Sequence, residues 1–276
     1  MSRNNGDNEN YYENDDDGSR IVQIKELDLN TLYPQHPKDT KNGSKYVIIG
    51  KPGTGKSTLI KSILYCKKHI FPVGKAHSGT EDSNGFFGEI QPKLFIEEGL
   101  DLNDLTPMEN FKKRQKYAKQ FLEPRGDYPW AYQIVDDCSS DNKLFKKPIF
   151  QEIYKNGRHW RQMHILSLQY SLDVPPAIRA CIDGVFILRE SNPAMRKKLY
   201  ENYGNCVDSF SEWNDLMDQL TDNYTAMFIN NKTQSNSLED CIFYYKADPK
   251  AIPADWKIGC REFWEFHNER YNDVSN

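Results

Sequence analysis

Lys45-Tyr46-Val47-Ile48-Ile49-Gly50-Lys51-Pro52-Gly53-Thr54-Gly55-Lys56-Ser57 is the stretch on which the fold turns. Its first five residues form a short, nearly continuous apolar run, the mark of a parallel strand buried on both faces. Its last eight read G-x-x-x-x-G-K-S, a phosphate-binding Walker A loop. From Lys56 to Lys68 the apolar residues Leu59, Ile60, Ile63 and Leu64 recur at helical spacing. The glycines let successive backbone N–H groups curl around a phosphate without Cβ clashes. Lys56 is placed to reach the β- and γ-phosphates, and Ser57 to set its hydroxyl on Mg²⁺. Thr58 adds a hydroxyl at the start of a helix whose positive dipole end faces the anion. The phosphate-side set is therefore Gly50, Lys51, Pro52, Gly53, Thr54, Gly55, Lys56, Ser57 and Thr58, with ATP and Mg²⁺ as the ligands it implies.

Working outward, apolar strands alternate with helical segments. Strands are expected at 71–76, Trp130 to Val135, His164 to Leu168 and Gly184 to Leu188, with an apolar burst at 94–96. Helices are expected from Thr106 or Pro107 to about Leu122, around Lys147 to Asn156, at Pro193 to Tyr203 and at Val207 to Leu220. A hairpin from 224–229 to 241–245 follows, and 21–29 reads as an edge strand or clasp before the core. The pattern predicts an α/β fold: a doubly wound, mostly parallel sheet flanked by helices. Residues 21–276 read as one domain, with a core at about 40–190 and a C-terminal α+β extension at about 191–276.

The strand from Trp130 ends on Asp136 and Asp137, where acids reach the crevice in which the phosphate loop opens. Asp136 suits Mg²⁺ and Asp137 suits an attacking water; a turn or helix cap is the other use of paired aspartates. Gln169, at the tip of the next strand, can hold a water or sense the γ-phosphate, or simply cap a backbone group. The basic segment 155–161 offers Arg158 and Arg161 for transition-state charge in a neighbouring subunit, against a surface arginine or one packed on Trp160. Arg179 and Arg189 rank below them. Lys112, Lys113, Lys116 and Lys119 make one basic helix face, either a track for a nucleic-acid backbone or a solvated surface.

Composition narrows the class further. The 276 residues are 38% hydrophobic and 28% charged, and no apolar run is long enough to span a membrane. No secretory pattern opens the chain, and the six cysteines lack C-x-x-C spacing, so an intracellular protein with reduced thiols is expected. Residues 1–20 hold six acids against Arg3 and Arg20, which equals the whole net charge of −4. That segment reads as a disordered acidic, Asn-rich tail. The histidines lack metal-site spacing, so no metal beyond Mg²⁺ is expected.

Taken in order, Gly50 to Ser57, Ile134-Val135-Asp136-Asp137, Gly157-Arg158-His159, Ser167-Leu168-Gln169-Tyr170 and Pro175-Pro176-Ala177-Ile178-Arg179 resemble the genome-packaging ATPases of nucleocytoplasmic large DNA viruses. These form the poxvirus-type viral branch of the FtsK–HerA P-loop superfamily. The resemblance covers about 40–190 and implies a RecA/FtsK–HerA-like NTPase working as a homo-oligomeric ring. It further implies movement of double-stranded DNA into a capsid, contact with capsid or packaging-vertex proteins, and a place in the virion or the host cytoplasm. It maps the strand-end glutamine to Gln169 and the trans arginine finger to Arg158, with Arg161 as rival. Asp137 departs from the Asp-Glu pair of cellular members by one methylene, which leaves the general base open. Two other readings stand beside it: a nucleotide-kinase-type phosphotransferase, and a non-catalytic NTP-binding virion or regulatory protein.

Overall fold

A computed structural model describes residues 23–138, 142–170 and 174–271. The acidic tail lies outside the described residues, as do Ile21 and Val22 of the expected edge strand. One nine-stranded sheet organises the rest, in the order β1-β9-β8-β7-β2-β6-β5-β3-β4. Its strands are β1 (Lys25–Glu26), β2 (Ser44–Ile49), β3 (Val73–Ser78), β4 (Ile96–Glu98), β5 (Ala131–Asp136), β6 (Gln162–Leu168), β7 (Gly184–Ile187), β8 (Thr225–Asn230) and β9 (Ile242–Lys246). All neighbours pair parallel except β8, which runs antiparallel to both β7 and β9. The expected hairpin is therefore present, and its first strand is the reversed one.

The helices are α1 (Lys56–Lys67), α2 (Glu81–Asn84), α3 (Thr106–Leu122), α4 (Pro148–Asn156), α5 (Pro176–Arg179), α6 (Pro193–Tyr203), α7 (Phe210–Leu220), α8 (Leu238–Cys241) and α9 (Arg261–Arg270). Alternation along β2 divides the core, because successive side chains leave a strand on opposite faces. Val47 and Ile49 pack with Val135, Leu166, Val185 and the helical residues Phe150, Ile153, Leu199 and Trp213. Tyr46 and Ile48 pack on the other face with Ile134, Ile165, Phe186 and the α1 residues Leu59, Ile60, Ile63 and Leu64. A strand covered on both sides has no polar face to show, which is why β2 reads as a continuous apolar run.

Three boundaries differ from expectation for identifiable reasons. α7 begins at Phe210 rather than near Val207, because Ser209 Oγ accepts the Glu212 N–H at 3.1 Å and caps the helix there. The burst at 94–96 divides into a 3₁₀ turn (Lys93–Phe95) followed by β4 on the sheet edge. The edge strand pairs through Lys25 and Glu26, just after Ile24. α9 was not expected: Phe263 is its one buried residue, too little apolar periodicity to mark ten residues as helical. That side chain joins Val73, Phe111 and Ala131 in a small satellite core.

Candidate active site

Because every strand but β8 runs the same way, the loops after β2, β3, β5, β6 and β9 open at one edge of the sheet. The phosphate loop occupies its middle, since β2 lies between β6 and β7. Gly50 N–H donates to the Leu168 carbonyl at 3.0 Å, which pins the loop beside the end of β6. Gly53 and Gly55 take left-handed conformations, φ 77° and 102°, that a Cβ would oppose. Gly55 stands at the N-cap of α1 and supplies no side-chain cap, so the first-turn N–H groups face the cleft without a capping acceptor. Thr54 Oγ1 donates to the Lys51 carbonyl at 2.7 Å and tightens the loop from within. Lys51 itself pairs with Glu190 at 2.6 Å, beyond β7.

Lys56 is buried, and its ammonium donates to the Gly50 carbonyl at 2.7 Å and the Lys51 carbonyl at 3.2 Å. It also lies 3.7 Å from Asp137 Oδ1. Asp137 holds a left-handed backbone, φ 50°. The end of β3 crowds it: a Cβ on Gly79 would fall 2.4 Å from the Asp137 carbonyl oxygen, so only glycine fits there. Asp136, one residue back, is 3% exposed and level with Ser167 on β6. Burial, joined by the neighbouring Asp137 charge, pushes its carboxyl up to about 6. The Ser167 hydroxyl beside it tempers that rise without closing a bond of ordinary geometry. Among the described residues, Asp136 Oδ1, Asp137 Oδ1 and Ser167 Oγ are buried with no hydrogen-bond partner. Burial also pushes the Cys138 thiol up to about 12, so it remains protonated here.

Gln169 follows β6 directly, half-buried, one residue after the carbonyl that holds Gly50. Lys56, Ser57, Asp136, Asp137 and Gln169 thus arise from neighbouring strands at one edge. Arg158 does not join them. It lies in the 3₁₀ turn before β6, at the opposite edge, exposed in a cleft with Lys45, Lys155 and Lys232. Arg161, three residues on, is tied down: its Nε donates to Glu123 Oε1 at 2.6 Å and its Nη1 to the Lys41 carbonyl. Arg179 is bonded to Asn202 and Arg189 to Asp218, so neither reaches the loop. Of the basic α3 face, Lys112 pairs with Glu109 and Glu152, Lys116 lies over Trp160, and Lys119 donates to the His159 carbonyl. Those lysines brace α3 against the α4–β6 connection.

A cleft of about 840 Å³ surrounds the loop, and much of its wall comes from residues that sequence reasoning left out. Pro52, Gly53, Gly55, Lys56, Ser57, Thr58 and Asp137 form one side; Asn223, Tyr224, Lys246 and Asp248 form another. Because β8 is reversed, its first residue lies at the phosphate edge, level with the last residue of β9. The fold therefore delivers both the turn before β8 and the loop after β9 to this cleft.

These features fit a nucleotide with a divalent cation: an uncapped helix N-terminus, a buried ammonium and the Asp137 carboxylate in one cleft, with Asp136 Oδ1 buried one residue back without a hydrogen-bond partner. Comparison with known proteins bears on the chain as a whole. The uncharacterized protein 075L of Invertebrate iridescent virus 6 is 44% identical over 252 residues, which is 91% of this chain and 95% of that one. The chain belongs to the family of that viral protein. A more distant relative in this family, the uncharacterized protein L437 of Acanthamoeba polyphaga mimivirus, is 30% identical over 258 residues, 91% of this chain and 84% of that one. No family model matches. Among solved structures, B204, the DNA-packaging ATPase from Sulfolobus Turreted Icosahedral Virus, superposes with a TM-score of 0.53 at 17% identity, covering 75% of this chain and 99% of that one. The shared fold is that of P-loop ATPases. No described helix is long and apolar enough to cross a membrane.

Proposed function

We propose that this protein is an ATPase that uses hydrolysis to move double-stranded DNA into a viral capsid. One observation carries the ATPase part: Lys56 lies 3.7 Å from Asp137 Oδ1 beside an uncapped helix N-terminus, at the sheet edge where β5 ends on Asp136 and β6 ends just before Gln169, and two carboxylate oxygens there lack a hydrogen-bond partner. Such groups are costly to bury, and a folded chain that keeps several together at one cleft keeps them for a ligand. Water is the acceptor this arrangement suits. Asp137 orients it and receives its proton, and Gln169 holds it in line with the γ-phosphorus as the bond to ADP breaks. Lys56 leaves the loop carbonyls for the β- and γ-phosphate oxygens. Ser57 and Asp136 would hold Mg²⁺, which when bound neutralises charge on those oxygens.

The motor part rests on the motif resemblance and on the fold shared with the B204 packaging ATPase. In a homo-oligomeric ring, Arg158 is the arginine available to a neighbour's site, because Arg161 is spent on Glu123. The working unit is the single domain 21–276, acting with capsid or packaging-vertex proteins in the virion or the infected cell. The test is phosphate release from ATP with and without linear double-stranded DNA, read beside the native mass. Magnesium-dependent turnover, stimulated by DNA and accompanied by an assembly larger than one chain, is the expected result. Turnover indifferent to DNA at every salt concentration would remove the motor and leave the ATPase.

A further inference from the structure

The turn that feeds β8 is more strained than a surface position explains. Asn223 and Tyr224 are consecutive left-handed residues, φ 48° and 64°, and the Thr225 N–H closes on the Asp222 carbonyl at 3.0 Å. This is the mirror-image form of the common β-turn, in which the second central position favours glycine. A tyrosine there works against its own Cβ and gains little burial in exchange, since Tyr224 is 63% exposed. Strain kept without packing is a sign of use.

The ring's position indicates the use. A Cβ placed on Gly55 would lie 3.6 Å from Tyr224 Cδ1, so the ring stands in van der Waals reach of the start of α1. It lines the same cleft as Pro52, Gly53, Lys56 and Thr58. A nucleotide whose phosphates lie on the loop must extend its base away from Lys56, along the walls of this cleft. We infer that Tyr224 is the platform on which that base stacks. The inference rests on the nucleotide reading above and adds the part of the ligand that the phosphate loop does not see. An aromatic face accepts any base, so the platform favours nucleotides over bare polyphosphate without choosing among purines.

The test uses the full chain and three proteins: wild type, Tyr224→Gly and Tyr224→Phe. Each is titrated calorimetrically with ATP and, separately, with inorganic tripolyphosphate, both with Mg²⁺. Tyr224→Gly is expected to weaken ATP about tenfold or more and to leave tripolyphosphate unchanged, while Tyr224→Phe keeps ATP within about twofold. The ligand-free glycine variant is expected to melt higher than wild type, because the turn relaxes. Unchanged ATP affinity, an equal loss for both ligands, or a phenylalanine variant as weak as the glycine one would each overturn the platform while the phosphate site stands. A glycine variant that melts lower would show that the ring serves packing, and would overturn it too. Wild type that binds neither ligand would end the nucleotide reading and the platform with it.

Discussion

The two ends of the parallel strands treat their polar groups in opposite ways. At the starting end, Gln115 Nε2 reaches the Pro129, Trp160 and Arg161 carbonyls, Gln162 donates to Gln133, Arg161 meets Glu123, and Asp183 accepts the Lys45 N–H. Among the described residues the exceptions there include the His164 ring and the Tyr33 and Tyr154 hydroxyls, all buried without a hydrogen-bond partner. His164 packs edge-on against Tyr154 with ring centroids 5.5 Å apart, and burial brings its pKa down to about 3, so it stays neutral. At the finishing end, two carboxylate oxygens and a serine hydroxyl are buried without a hydrogen-bond partner. Asp137, Asn223 and Tyr224 hold left-handed backbones around one cleft. Polar residues that close on one another stabilise the fold, and those left open at one cleft are kept for something the chain does not itself contain.

Substitutions at the two ends should therefore fail differently. The largest effect belongs to the open end: Lys56→Ala is expected to lower ATP turnover at least about a hundredfold, with circular dichroism still showing a folded chain. Near-normal magnesium-dependent turnover in that variant would break the contrast outright. At the closed end, Arg161→Ala should destabilise the fold by about 2 kcal/mol in denaturant melts, since it strands a partly buried Glu123. Arg158→Ala should leave stability within about 0.5 kcal/mol and lower turnover in the assembled protein. The reverse pattern would exchange the roles of the two arginines.

Asp136 sharpens the comparison through pH. Its native pKa lies above the ordinary value, so between about pH 4 and 6 the folded chain holds more protons than the unfolded one. Stability from this group is therefore fullest below pH 4 and is lost as pH rises through 6. Asp136→Asn removes that slope. In metal- and nucleotide-free buffer the variant should gain over wild type from near zero at pH 4 to about 1–2 kcal/mol above pH 6. The ceiling is roughly 3 kcal/mol, the cost of ionising a carboxyl raised from its ordinary value to about 6. A difference that does not change with pH would mean that the carboxylate is not held against its charge. Lys113, exposed on α3, should matter least: Lys113→Ala is expected to change stability by under about 0.5 kcal/mol and DNA-stimulated turnover not at all.

Much of this contrast is legible in the chain without its fold. The phosphate loop is local, so one stretch of residues states it completely. Asp136, Asp137 and Gln169 are legible because parallel strands end at a shared edge, which turns a one-dimensional pattern into a place. Tyr224 and Lys246 are not: the hairpin itself is legible, but nothing in its apolar runs says that it continues this sheet beside β7 and so brings the turn before β8 and the end of β9 to that edge. The signal for Tyr224 is Asn223 before it, a turn former at the junction of helix and strand. Arg158 and Arg161 look alike in sequence, and what separates them comes from afar: Glu123, 38 residues from Arg161, and the Lys41 carbonyl. The lysines of α3 mislead for the same reason, because the acid and the carbonyl that occupy Lys112 and Lys119 come from α4 and the turn after it.

The order of strands has a practical consequence for anyone who shortens this chain. β7, four residues buried along their whole length, is where the parallel core about Gly50 would end if the chain stopped near residue 190. β8 covers that edge, and β9 and β1 extend the sheet beyond it. A fragment cut there would present Gly184 to Ile187 as an open hydrogen-bonding template, and such edges recruit strands from other molecules. Aggregates of such a fragment could be mistaken for assembly, so oligomerisation has to be measured on a chain that retains its last two strands.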